Sequence, residues 1–135
     1  MKTRDRPSLA AKAAIAARAA YLFALVRLRL RSERLPDVVE GLGQNLGPTR
    51  FRARPVRLGH IVGRTLAIGP VRARCLHTSL VLYRLLREQG EEAELVLGLP
   101  QERRDKDAHA WVEVGGHDVG PPPGRGSHEE LARYG

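Results

Sequence analysis

The only cysteine of this 135-residue chain, Cys75, lies where an apolar helix is predicted to begin. A cysteine attacks as the thiolate, and a helix N-terminus or neighbouring cations favour that charged form. Arg72 and Arg74 stand just before Cys75. The position is therefore typical of a nucleophile. The other interpretation is a small buried apolar residue, which is the usual role of a free cysteine.

A cysteine nucleophile needs a base, and a histidine on a neighbouring strand is a common one. His109 lies in AHAWVEV, residues 108 to 114, a segment that reads as a strand, and Asp107 precedes it in a charged loop. A helix packed on that strand could bring His109 to Cys75. The sequence thus offers a cysteine–histidine pair, although a lone histidine is also a common surface or core residue.

Apolar residues at helical spacing predict that helices come first along the chain. Ser8 is the predicted N-cap of a helix that runs to about Arg31. Its apolar face is expected to pack on the core, with docking to a partner or a membrane surface as the alternative. The further predicted helices are a short turn over 37–42, a helix over 56–68, and one from Cys75 to a C-cap at Gly90.

The rest of the chain reads as a small antiparallel sheet. Strands are predicted at 93–99, 108–114 and 117–120, with Gly115-Gly116 as a hairpin turn. Ser127 and Glu130 form a capping-box pattern that predicts a last helix from His128 to about Tyr134. Helices followed by a sheet give the α+β class, and the length favours a single domain over 1–135.

A net charge of +8 and a pI near 10.7 favour acidic partners. Aromatic residues make up only 4% of the chain and do not alternate with basic ones, so no nucleic-acid partner is expected. The arginines of the segment 50–57 are either a solvated loop or a docking strip for an acidic peptide.

The compartment is expected to be the cytoplasm. One cysteine cannot form an internal disulfide, so nothing indicates an oxidising environment. Lys12 and Arg18 interrupt the apolar N-terminal run, and a bilayer span needs about 20 apolar residues, so no stable membrane insertion is expected.

Metal binding is the alternative chemistry for these residue types. Cys75, His77, His109 and His117 are potential zinc ligands, but their spacing matches no recognised structural site. Cys75 and His77 also diverge in direction at a helix start. The sequence therefore predicts no metal, and no other cofactor is expected.

The run CLHTSLVLYRLLREQGEEAELVLGL, followed by AHAWVEV, resembles the transglutaminase-like leader peptidase subunit of lasso-peptide biosynthesis. In that family a C-L-x-x-S-L-x-L helix, a short strand and an A-H-A-W-V-E strand occur in this order. The similarity covers about residues 72–134. It implies a transglutaminase- or papain-like core over 71–135, in which a central helix packs on a small antiparallel sheet, behind a helical part over 1–70.

The resemblance implies a cysteine protease that removes the leader from a ribosomally made precursor peptide, with Cys75 as nucleophile and His109 as general base. It also implies two partners, a separate leader-recognition protein and the lasso cyclase, because 135 residues leave no room for a fused recognition domain. Two alternatives stay open: a non-catalytic interaction subunit of the same fold, and acyl transfer to an amine.

The third catalytic residue departs from the family pattern. Relatives place an aspartate about where this chain has Gly120-Pro121, and the only aspartate after His109 is Asp118. A two-residue turn would pair Asp118 with Glu113, perhaps ~10 Å from the surroundings of His109. Asp118 is the candidate orienting acid, with a backbone carbonyl or a water as alternatives. Arg74 and Trp111 are candidate substrate-binding residues, and Trp111 could equally pack in the core.

Overall fold

Helices precede a four-stranded antiparallel sheet in this computed structural model, which describes residues 9–44, 53–67, 75–99, 109–121 and 129–135. The fold is α+β, as predicted. Its helices are α1 (Leu9–Ser32), α2 (Leu35–Leu42), α3 (Pro55–Ala67) and α4 (Cys75–Glu88). Its strands are β1 (Ala93–Leu99), β2 (His109–Val114), β3 (His117–Gly120) and β4 (Glu129–Tyr134).

One face of α1 joins the hydrophobic core, as the apolar spacing predicts. Its buried residues recur at intervals of three or four and are Ala11, Ile15, Ala19, Leu22 and Val26. By length and composition α1 is also apolar enough to cross a membrane, despite the charges at Lys12 and Arg18. A core helix of a soluble protein passes the same test, so this property is weak evidence for a membrane span.

The central element is α4, which contacts α1, α2, α3 and both middle strands of the sheet. Its middle is inaccessible on every side: Leu80, Val81, Leu82 and Leu86 are fully buried. Burying each such side chain contributes about 2 kcal/mol. The predicted end is confirmed, since Gly90 follows the helix with a φ of 88°.

The sheet has the strand order β3-β2-β1-β4, with every neighbouring pair antiparallel. Gly115 and Gly116 form the tight turn between β2 and β3 with φ values of 59° and 82°. A two-residue turn with both φ values positive matches the twist of the strands that it joins. The predicted pairs Val114–His117 and Glu113–Asp118 are confirmed.

The predicted C-terminal helix is wrong, because Glu129–Tyr134 forms β4. This strand pairs with the edge of β1, where Leu95 lies opposite Tyr134 and Val96 opposite Arg133. The pairing satisfies backbone groups that β1 would otherwise leave unpaired. A capping-box pattern is a local signal, and here the long-range pairing outweighs it; Ser127 lies outside the described residues.

Close packing of α3 on β3 depends on Gly59. A Cβ atom at this position would collide with the backbone carbonyl oxygen of Val119. Backbone atoms cannot rotate away, so a side chain at residue 59 would push α3 off the edge of the sheet.

Gly59→Ala is expected to destabilise the fold by about 2 kcal/mol or more, despite the ~1 kcal/mol gain in helix propensity. The matched control is Gly41→Ala on α2, whose new Cβ meets only the flexible Arg29 guanidinium and should be tolerated. Urea unfolding of both variants measures the difference. Equal stability of the two variants would contradict the close packing of α3 on β3.

Candidate active site

The predicted nucleophile, Cys75, is the first residue of α4. One turn later, Ser79 is fully buried and its hydroxyl donates a hydrogen bond of 3.0 Å to the backbone carbonyl of Ala110. A buried hydroxyl without such a partner costs about 1–3 kcal/mol. This bond therefore fixes the start of α4 against the start of β2.

The predicted base, His109, is the first residue of β2 and precedes Ala110 directly. Its Nε2 atom is buried. Chain direction places it at the Cys75 end of α4: β1 follows α4 after a tight turn and runs back beside it. Gly98, near the end of β1, lies opposite His109.

The topology thus brings the backbones of Cys75 and His109 to the same end of α4 and β2. The Cys75 side chain lies outside the described part of the structure, as do Arg72 and Arg74. Contact between the Cys75 sulfur and the His109 imidazole therefore remains a prediction.

Asp118 is not brought to His109. It lies opposite Glu113, and its side chain accepts a 2.9 Å hydrogen bond from the backbone N–H of Gly120. Glu113 is four residues from His109 along β2, or roughly 13 Å in an extended strand. An aspartate side chain is too short to span that distance, so the register gives no support to Asp118 as the orienting acid.

Trp111 is fully buried, which favours core packing over a place in the substrate cleft. Its indole ring lies on the backbone of Gly98, where a Cβ atom would come within 2.7 Å of the ring. The ring centroid is 6.3 Å from that of His109, and the two planes are inclined at 30°. Trp111 therefore presents no surface to a substrate and instead packs beside the imidazole.

A buried carboxylate holds Trp111 in place. Glu113, on the same face of β2, accepts a 2.9 Å hydrogen bond from the Trp111 indole N–H. The other oxygen of Glu113 forms a 2.9 Å ion pair with Arg133 of β4. Hydrogen bonds to Glu130, Glu113 and Glu94 raise the pKa of Arg133 above its already high ordinary value. A hydrogen bond and an ion pair thus link Trp111, Glu113 and Arg133 in one network. The Trp111 ring of this network lies beside the His109 imidazole.

The candidate zinc-ligand histidines lie in separate places. His77 packs edge-on against Phe23 of α1, with ring centroids 5.9 Å apart. His117 is exposed beside the β2–β3 turn, at the far end of β2 from His109. Over the described ranges, no group of three or more metal-ligating side chains occurs.

Two parts of this arrangement do not follow from the sequence pattern. Ser79 was available as the serine one turn after Cys75, but its acceptor is a backbone carbonyl that no side-chain pattern reveals. The pairing of Glu113 with Arg133 depends on β4, which was predicted as a helix.

A family model for the transglutaminase-like superfamily matches residues 17–133. The chain belongs to this superfamily, which includes cysteine proteases and acyl transferases. No curated protein and no solved structure matches the chain significantly.

Glu113→Gln is expected to destabilise the fold by about 2 kcal/mol, because it removes the buried carboxylate that Trp111 and Arg133 share. Glu130→Gln is the matched control. It removes a more exposed partner of the same arginine and should cost about 0.5 kcal/mol. Urea unfolding compares the two variants. Equal small losses would show that the network does not contribute to holding this face of the sheet.

Proposed function

We propose that this protein is a cysteine peptidase that removes the leader peptide from a lasso-peptide precursor. The observation that carries the proposal is the buried hydrogen bond from Ser79 to Ala110, which anchors the start of α4 beside the strand that begins with His109. Membership of the transglutaminase-like superfamily and the order of the Cys75 and His109 motifs support the same proposal.

In the proposed mechanism, His109 takes the proton of Cys75 and the thiolate attacks the carbonyl of the last leader residue. The backbone N–H of Cys75, at the start of α4, stabilises the oxyanion that forms. His109 then protonates the departing amine of the core peptide. Water hydrolyses the thioester, which releases the leader and restores the thiol.

The imidazole still needs to be oriented, and neither Asp118 nor Glu113 is in register to do so. The buried ring of Trp111 restricts the position of His109 from one side. A backbone carbonyl or a water is the proposed partner that fixes the tautomer. Replacing a carboxylate in this way lowers catalytic efficiency without abolishing it, because the acid only orients the imidazole and stabilises its charged form.

The proposal also covers the cellular location and the partners of the protein. The peptidase acts in the cytoplasm on the precursor peptide, with a separate leader-recognition protein that presents the substrate and a lasso cyclase that uses the product. It requires no resident cofactor.

A second candidate is a non-catalytic subunit, and the position of Asp118 opposite Glu113 is the observation that favours it. A subunit that has lost its orienting acid could keep the fold only for interaction. Acyl transfer to an amine is a third outcome, since the superfamily includes such enzymes and they use the same thioester.

Cleavage of the precursor in the presence of the recognition protein tests the proposal. Cys75→Ala and His109→Gln are each expected to lower the rate by about a thousandfold or more, because the nucleophile and its base act as a unit. His77→Gln, which removes the other histidine of the α4 region, is the matched control and should retain activity.

The same assay separates the alternatives. Omitting the recognition protein should slow wild-type cleavage strongly, and added amines should not enter the product. Full activity of Cys75→Ala would refute the assignment of the nucleophile. Absence of cleavage by the wild type with its partner would favour the non-catalytic subunit, and amine incorporation would favour the transferase.

A further inference from the structure

A cleft between the first half of α1 and α3 carries charge that the rest of the described chain does not neutralise. Its volume is about 420 Å³, within the ~300–1,000 Å³ of typical ligand sites. Four basic residues of the described ranges line it: Lys12 from α1 and Arg57, His60 and Arg64 from α3.

No carboxylate belongs to either wall, since α1 and α3 contain neither aspartate nor glutamate. The ion pairs among the described residues involve other arginines: Arg18, Arg29, Arg84 and Arg133. In addition, the Nε atom of Arg57 is buried and has no hydrogen-bond acceptor within the described part of the chain. A buried donor in this state costs about 1–3 kcal/mol.

The basic groups follow one line along α3. Arg57, His60 and Arg64 are spaced three and four residues apart, so they share one face of the helix. Arg57 and Arg64 are two turns apart, roughly 10 Å along the axis. Apolar residues also line the cleft beside these basic groups, among them Ala13 and Ile61. A ligand that fits would carry two separated negative charges around an apolar centre.

The α1 wall of the cleft lies on the N-terminal side of the contacts that α1 makes with α4. Arg18 of α1 pairs with Glu88 at the end of α4, whereas Phe23 contacts His77 near its start, so the two helices are antiparallel. The cleft lies before Arg18, and Ala13 is roughly 15 Å along α1 from Phe23. The α1 wall of the cleft is thus displaced along this helix from the contact with His77, near the start of α4.

We propose that the α1–α3 cleft is a docking site for an acidic segment of a partner protein, in which carboxylates flank apolar side chains. Charge complementarity selects the acidic groups, and the apolar floor selects a peptide over a nucleic acid. Among the described residues, none with a phenyl, phenol or indole ring lines the cleft to stack on bases. The proposal holds whether or not the protein is a peptidase.

The test is fluorescence anisotropy with a labelled synthetic peptide in which pairs of glutamates flank two leucines. The full-length protein should bind it, bind the all-glutamine version far more weakly, and lose affinity as salt rises. Arg57→Gln/Arg64→Gln should weaken binding by about tenfold or more. Arg31→Gln/Arg34→Gln is the matched control: it removes the same charge from exposed positions at the other end of α1 and should change affinity by less than about twofold.

Lys12→Gln on the opposite wall is the second variant, which keeps the test valid if the α3 double variant does not fold. It should also weaken binding, with an unchanged circular dichroism spectrum.

Equal losses in the cleft and control variants, or no binding by the wild type, would overturn the proposal. So would tighter binding of single-stranded RNA or anionic phosphatidylglycerol vesicles with the same dependence on Arg57 and Arg64. Repeating the titration with Cys75→Ala, which should bind normally, separates this outcome from failure of the peptidase proposal.

Discussion

The hydrogen bond from the Ser79 hydroxyl to the Ala110 carbonyl is the constraint on which the candidate site depends. Both groups lie in the core, where a shift of α4 by even part of a turn would leave them unsatisfied. The surrounding leucines of α4 hold the helix in the core by burial of apolar surface, an interaction that does not depend on orientation. The hydrogen bond requires one orientation of α4 relative to β2, and it therefore sets how far the backbone of Cys75 lies from the start of β2.

Alternate residues of strand β2 face opposite sides of the sheet. Ala110 and Val112 join the core that includes α4, whereas His109, Trp111 and Glu113 alternate onto the other face. Any contact between Cys75 and His109 must therefore form at the end of the sheet where α4 begins, and not across its covered face. On the His109 face, Arg133 brings β4 into the arrangement by pairing with Glu113. Strand β4 thus helps to hold Trp111 through Glu113, and the Trp111 ring packs beside His109, the first residue of β2.

Much of this fold follows from local patterns, and the remainder depends on pairings that sequence spacing does not show. Apolar periodicity was sufficient for α1, α3 and α4, and two glycines with a free choice of φ predicted the β2–β3 turn. The register around that turn also predicted that Asp118 faces Glu113. By contrast, β4 forms because it pairs with the edge of β1. The local helix signal in the β4 sequence does not reveal this pairing. Alternation placed Trp111 on the face of His109 but could not reveal that Gly98 lets the indole sit against the backbone and become buried.

The central claim is that Cys75 and His109 act as one reactive pair, and the pH dependence of Cys75 alkylation by iodoacetamide tests it most directly. We expect rapid modification of the folded protein well below about pH 8, where an ordinary thiol is largely protonated. We further expect that His109→Gln slows this reaction at the same pH while His77→Gln does not. Modification that follows an ordinary thiol in all three proteins, or that occurs only after unfolding, would contradict the account.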